Sequence, residues 1–167
     1  VRKVAFLLKA GAKVVVHSPT FCADLLAIND VKLLLVKQIY KARDLDGAWL
    51  VIAATNDSDV NQQVAQDAEK LGIFANVVDA PELGSFIMPS IVDRSPIIVA
   101  VSSGGNTPVL ARLVRAKLEA VLPNYLGPLA RLAGEFRQKV QQMLPTVESR
   151  RRYWEQVFNA GEVASLL

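Results

Sequence analysis

The sequence predicts a mixed α/β fold: a Rossmann-like parallel sheet over the first half, then a β-hairpin with a helix, then a small helical end. Three observations lead there. Short apolar, β-branched runs recur through the first half and are interleaved with helical periodicity. Glycines follow the periodic stretches at Gly11 and Gly72, where a helix stop is expected. After Pro89 the rhythm changes to two short strands around Asp93-Arg94-Ser95-Pro96, and the rest is helical.

Taken in order, residues 2–10 read as a helix with Val4, Ala5, Leu7 and Leu8 on one face. Strands follow at 13–17 (KVVVH) and 31–36 (VKLLLV), and Phe21–Asn29 is long enough for a crossover helix between them. The third strand, 49–54 (WLVIAA), is apolar throughout, as a parallel strand covered on both faces should be. Ser58 or Asp59 is expected to cap a helix running to about Leu71, and 74–78 (FANVV) is the fourth strand. Ser90–Val92 and Ile97–Ser102 make the hairpin. Asn106 or Thr107 caps a helix to about Leu122, with Pro108 in its first turn. Helices at 126–144 and 147–159 precede a short amphipathic tail. The expected division is a nucleotide-type domain over 1–88, a hairpin-and-helix dimerisation region over 89–122, and a helical domain over 123–167. The hairpin unit is too small to bury its own core, so it is expected to pair with a second copy.

The bulk numbers exclude several classes. The 167 residues suit one or two small domains, with half of them hydrophobic. No apolar run reaches the length of a membrane span, so no membrane partner is expected. Cys22 is the only cysteine, which rules out an internal disulfide and points to a reducing cytoplasm. Residues 107–167 carry 9 Lys/Arg against 5 Asp/Glu, a surplus that suits an anionic partner. The RRR run at 150–152 reads as a solvated helix face, and no nucleic-acid motif accompanies it.

In an open parallel sheet, ligands bind beyond the carboxyl ends of the strands. Three such ends are present: His17-Ser18-Pro19-Thr20, Ala54-Thr55-Asn56-Asp57 and Val78-Asp79-Ala80-Pro81. Their small residues let a cofactor approach the backbone. Asp79 is the main ionisable group there. Its carboxylate can act as a general base or lend an oxygen to a metal, or it can accept backbone N–H groups in the turn before Pro81. His17, the one histidine, cannot form a two-His metal site. Ser103, in SSGG, can hold an anion with its hydroxyl and neighbouring amides. A G-x-G-x-x-G turn is not present in these residues, so the first strand and glycine-rich loop of a dinucleotide fold are expected to lie ahead of Val1.

Several runs carry a resemblance: AATNDSDVNQQV (53–64), NVVDAPELGSFIMPSIVDRSP (76–96), VAVSSGGNTPVLARLVRAKLE (99–119) and RRRYWEQVF (150–158). Together they resemble the N-terminal module of siroheme synthase, the precorrin-2 dehydrogenase and sirohydrochlorin ferrochelatase family. The resemblance implies NAD-dependent oxidation of precorrin-2 to sirohydrochlorin, then insertion of ferrous iron, by a cytoplasmic homodimer. It implies that Asp79 serves both steps, touching Fe2+ transiently, that Pro19 and Thr20 contact NAD, and that Ser103 matches a serine phosphorylated in a bacterial member. Ala54 and Thr55 join the cofactor rim as the next strand end. Ser103, Arg112 and Arg115 offer counter-charge to a substrate with eight carboxylates. A chain lacking the glycine loop is expected to bind NAD weakly or not at all. The other readings are a chelatase alone, a tetrapyrrole sensor without turnover, and a dimeric structural module.

Overall fold

The computed structural model describes residues 1–160. They fall into two compact units, meeting in sequence between Ile87 and Met88.

The first unit opens with α1 (Arg2–Lys9), whose last turn carries Lys9, a cation suited to the helix dipole. Gly11 follows at φ 86°. β1 (Val14–His17) and β2 (Leu33–Val36) pair in parallel, with His17 opposite Val36. β3 (Leu50–Ala53) and β4 (Phe74–Val77) form a second parallel pair, with Ala53 opposite Val77. Among the described residues hydrogen bonding joins these strands only pairwise, where the sequence suggested one sheet. The expected meeting of three strand ends is therefore seen in the ladders for Ala54 and Val78, while the His17 end meets the end of β2.

The crossover at 21–29 is mostly not helical. Only α2 (Ala23–Leu26) forms, and no side chain caps it. The Asp30 carboxylate accepts the Lys32 N–H at 2.8 Å and turns the chain early into β2. Val15 and Leu34, opposite each other in the ladder, are left exposed.

α3 (Ser58–Leu71) is capped by Asp57, not by Ser58 or Asp59. The Asp57 carboxylate accepts the N–H groups of Asp59 and Val60, the second and third helical residues, and only the residue before the helix can reach them. Gly72 ends the helix at φ 67°. Its inner face is small. Val64 and Ala65 pack with Ala53 and Val77. Ala68 packs with Ala75 and with Leu45, from a 3-10 turn at Ala42–Leu45. Alanines there let the helix approach the strands closely.

The second unit begins with the hairpin of β5 (Ser90–Arg94) and β6 (Ile97–Val101), antiparallel, with Arg94 opposite Ile97. Its turn is the pair Ser95-Pro96, joined by a cis peptide bond. The Asp93 carboxylate accepts the Ser95 N–H at 2.9 Å. α4 (Pro108–Val121) lies against the hairpin, with Ala111 and Val92 buried. α5 (Leu126–Met143) and α6 (Val147–Asn159) complete the described residues. Gly127 brings α5 onto the hairpin turn. A Cβ there would lie 2.6 Å from the Ser95 carbonyl oxygen. The tail expected after 159 lies outside the described residues.

Candidate functional site

The carboxyl ends of β3 and β4 leave the ladder side by side, and the Val78 N–H still donates to the Ala53 carbonyl at 2.9 Å. Ala54 and Thr55 follow one strand, and Asp79 the other. Ala54 and Thr55 are exposed. The Thr55 backbone N–H donates to the Asn61 Oδ1 at 3.2 Å, and the Asn61 amide donates back to the Thr55 carbonyl at 3.0 Å. A buried Asn on α3 thus fixes the shape of the rim.

Asp79 is exposed, with φ 62°, the one non-glycine left-handed residue among the described residues. Asp tolerates that region better than most residues, yet the conformation still carries strain, and strain of this kind gathers at functional sites. Among the described residues no backbone N–H donates to its carboxylate, so the turn does not consume it. Lys3 lies in the first turn of α1. Burial and the neighbouring Arg2 hold the Lys3 ammonium below its ordinary range, and the Asp79 carboxylate opposes them. The Lys3 Nζ donates to the Asn76 Oδ1 at 3.0 Å, and the Asn76 Nδ2 donates to the Phe86 carbonyl at 3.1 Å.

At the ends of β1 and β2, Pro19 and Thr20 are exposed. The Ser18 hydroxyl donates to the Thr20 carbonyl at 2.6 Å and holds the bend. His17 is not solitary. Its Nδ1 lies 3.0 Å from the Gln38 Nε2 and 3.4 Å from the Asp44 Oδ2. Gln38 also donates to Asp44 at 3.1 Å, and the Lys41 N–H does so at 2.8 Å. Asp44 and Gln38 were not anticipated. The signal was there in outline, because parallel pairing of the two strands puts whatever follows Val36 beside His17.

Ser103, Arg112 and Arg115 belong to the second unit. The Ser103 Oγ accepts the Thr107 N–H at 3.1 Å and so steadies the entry to α4, next to Gly104 and Gly105 at positive φ. Thr107 is the N-terminal residue of that entry, and its own side chain makes no capping bond. Arg112 is exposed. Arg115 is engaged by the fold, donating to the Ile91 carbonyl at 3.1 Å and pairing with Glu119 at 2.9 Å. Arg131 likewise donates to the Ser95 carbonyl at 2.8 Å. In the RRR run, Arg151 and Arg152 pair with Glu155 and Glu148, as a solvated helix face does, while Arg150 closes the end of α5 through the Leu144 and Pro145 carbonyls. No group of three or more His, Cys, Asp or Glu among the described residues can hold a resident metal ion. No helix among them is long and apolar enough to cross a membrane.

A parallel α/β unit with a rim of small and polar residues at its strand ends is the form of a nucleotide-binding protein, and residues 1–90 match the family described as putative NAD(P)-binding. Residues 94–120 match the sirohaem biosynthesis protein central region, and 125–167 the sirohaem synthase dimerisation region. The chain belongs to the family of the siroheme synthase N-terminal module. It is 50% identical over 167 residues to a siroheme synthase of Citrobacter koseri and 53% identical to siroheme synthase 2 of Klebsiella pneumoniae, covering 99% of this chain in each case. It spans 36% of the length of those relatives. The fold is also that of SirC, a precorrin-2 dehydrogenase, with a TM-score of 0.75 and 21% identity, covering 97% of this chain and 80% of that one.

Proposed function

We propose that this chain carries the NAD-dependent oxidation of precorrin-2 to sirohydrochlorin, with Asp79 as the base. The observation that carries the reading is the state of Asp79: exposed, left-handed, and receiving no N–H from its own turn among the described residues. Its strand neighbour ends at Ala53, with Ala54 and Thr55 following, so a carboxylate and a rim open to a cofactor share one edge. Bound NAD would supply the hydride acceptor. Pro19, Thr20, Ala54 and Thr55 are exposed and small enough to admit it. The start of α3 is not available for its pyrophosphate, because Asp57 already takes those N–H groups. The start of α1 has no side-chain cap and carries Arg2 and Lys3, which suits an anion. As hydride leaves the macrocycle, a proton must leave too, and the Asp79 carboxylate takes it.

Ferrous iron insertion is the second step of the proposal. Two pyrrole protons must be lost, and iron enters as substrate. The single exposed carboxylate of Asp79 can serve both needs. Ser103, Arg112 and Arg115 are the substrate-side groups of the second unit, and Arg115 also donates to the Ile91 carbonyl of the hairpin. Ser103 is the candidate for phosphorylation. We assign residues 1–88 to the cofactor domain, 89–122 to subunit pairing in a homodimer, and 123–167 to a helical domain. The lone thiol of Cys22 suits a reducing cytoplasm.

The test gives precorrin-2 and NAD to the chain, and to the chain extended ahead of Val1 by the family's glycine-rich loop. Sirohydrochlorin is expected at least from the extended form. No product from either would overturn the dehydrogenase reading. Adding Fe2+ to sirohydrochlorin without NAD isolates the second step, and insertion at the uncatalysed rate would remove it while leaving the first intact.

A further inference from the structure

His17 closes β1 inside a cluster whose hydrogens can be counted. The Gln38 amide nitrogen stands 3.0 Å from the His17 Nδ1 and donates to the Asp44 Oδ1 at 3.1 Å. Turning the amide over would set its oxygen against the Asp44 carboxylate, acceptor on acceptor, so the nitrogen faces both partners. A donor facing Nδ1 requires that ring nitrogen to be bare, and the ring proton then sits on Nε2. The Asp44 Oδ2 lies farther from the ring, at 3.4 Å. The His17 Nε2 takes no hydrogen bond among the described residues. It is not sealed from solvent either, since the Tyr125 hydroxyl is the one fully buried side-chain polar atom among them without a partner. The Asp44 charge is taken up within the fold: its side chain is 7% exposed, its Oδ1 accepts from Gln38 and its Oδ2 from the Lys41 N–H. The end of β1 therefore offers a ligand an N–H donor, and the segment after β2 adds exposed Lys37, Lys41 and Arg43.

We propose that His17 is the specificity-determining residue of the cofactor site: its Nε2–H, fixed as a donor by Gln38 and Asp44, binds the ribose next to the adenine. The proposal rests on the reading of the strand ends as an NAD site and deepens it. In the dinucleotide fold a carboxylate about 20 residues beyond the glycine loop accepts from the ribose 2′-hydroxyl. With that loop ahead of α1, the same place falls at the end of β1, on His17. A carboxylate there repels a 2′-phosphate by like charge. His17 gives the hydroxyl oxygen a donor instead and brings no negative charge, while the nearby Asp44 carboxylate already has its donors. The site therefore tolerates a phosphate on that hydroxyl, and NADP binds about as well as NAD.

The experiment measures the dissociation constants of NAD and NADP by calorimetry, without substrate, for the loop-extended chain and its His17→Asp and His17→Leu variants. Wild type is expected to bind the two within about tenfold of each other. His17→Asp should weaken NADP relative to NAD by about tenfold or more, because like charges then meet. His17→Leu should weaken both by a similar factor, roughly three- to tenfold for one lost hydrogen bond. A larger preference for NAD in wild type, or a ratio that does not move in a folded His17→Asp protein, would overturn the proposal. A second measurement needs no variant: nitrogen NMR of the His17 ring, the one histidine among the 167 residues, with adenosine 2′,5′-bisphosphate added. Nε2 should carry the ring proton, and its signal should move as the probe binds. A proton on Nδ1, or a ring signal that stays put while the probe saturates the protein, would also overturn it. Binding of neither dinucleotide by wild type would count against the NAD reading itself and take this proposal with it, whereas NAD binding that ignores His17 overturns the proposal alone.

Discussion

The two units spend their side chains differently. The first buries a small-residue helix face on its strands and gathers polar groups near the strand ends: Lys3 with Asn76, Thr55 with Asn61, His17 with Gln38 and Asp44. The second uses its arginines to hold its own backbone. Arg94 donates to the Leu122 and Glu119 carbonyls, Arg115 to Ile91, and Arg131 to Ser95. It leaves apolar side chains in the open on α4, with Val109, Leu110 and Leu113 each more than half exposed. Groups held in place at an edge favour chemistry. Apolar groups left uncovered favour a partner. The difference separates where the reaction is read from where the assembly is read.

The largest effect on that contrast should come from the second unit. Leu113→Glu puts a charge into the open face of α4 and should convert a dimer to monomer by light scattering, at a cost of several kcal/mol of association. Phe136→Glu, on α5, is the comparison, because the match to a dimerisation region falls on 125–167. A dimer that survives Leu113→Glu and not Phe136→Glu would move the pairing surface from 89–122 to the helical segment.

Gly127→Ala should be next. Its Cβ would meet two backbone carbonyl oxygens, at 2.6 and 2.9 Å, neither of which is the tip of a flexible side chain. Thermal unfolding should show a loss of about 1–3 kcal/mol. An unchanged melting temperature would mean that α5 does not sit on the hairpin turn.

A smaller effect tests the first unit. Hydrogen bonds from Gln63 and Lys70 hold the Asp67 carboxyl below its ordinary value of 3.8, with Tyr40 adding a third at 3.1 Å. Burial, and then that same hydrogen bond, push the Tyr40 hydroxyl upward. A lowered carboxyl pKa contributes stability above the unfolded value, and that contribution fades as pH falls through the lower folded value. Asp67→Asn should therefore melt below wild type near neutral pH, and the two curves should converge in acid below about 4. A constant gap at all pH would contradict the assignment.

The smallest change is Tyr125→Phe. The Tyr125 hydroxyl is buried without a hydrogen-bond partner among the described residues. Removing an unsatisfied group should leave the melting temperature equal or higher. A clear loss would reveal a partner for that hydroxyl.

Much of this was legible along the chain. Periodicity located every helix of three turns or more, the glycine stop at Gly72 was read correctly, and the position of Asp79 at a strand end followed from the VVDAP run. What escaped was pairing across distance. His17 meets Gln38 and Asp44 only because β1 and β2 run parallel in register. Lys3 meets Asn76 across 73 residues. A polar residue inside FANVV was the available signal, since a buried amide must find partners, but composition does not say which. Arg115, expected on the substrate side, also donates to the Ile91 carbonyl of its own hairpin, a pairing across 24 residues that the sequence does not spell out.

The most direct measurement of the central claim is the rate per folded protein of Asp79→Asn against wild type, in both half-reactions, in the loop-extended chain. Asn keeps the shape and one acceptor oxygen, and it tolerates the left-handed backbone at φ 62°. It cannot take a proton. The account predicts an intact melting temperature and a loss of about 10² to 10⁴ in rate in both precorrin-2 oxidation and iron insertion. A folded Asp79→Asn protein that is fully active in both would contradict it.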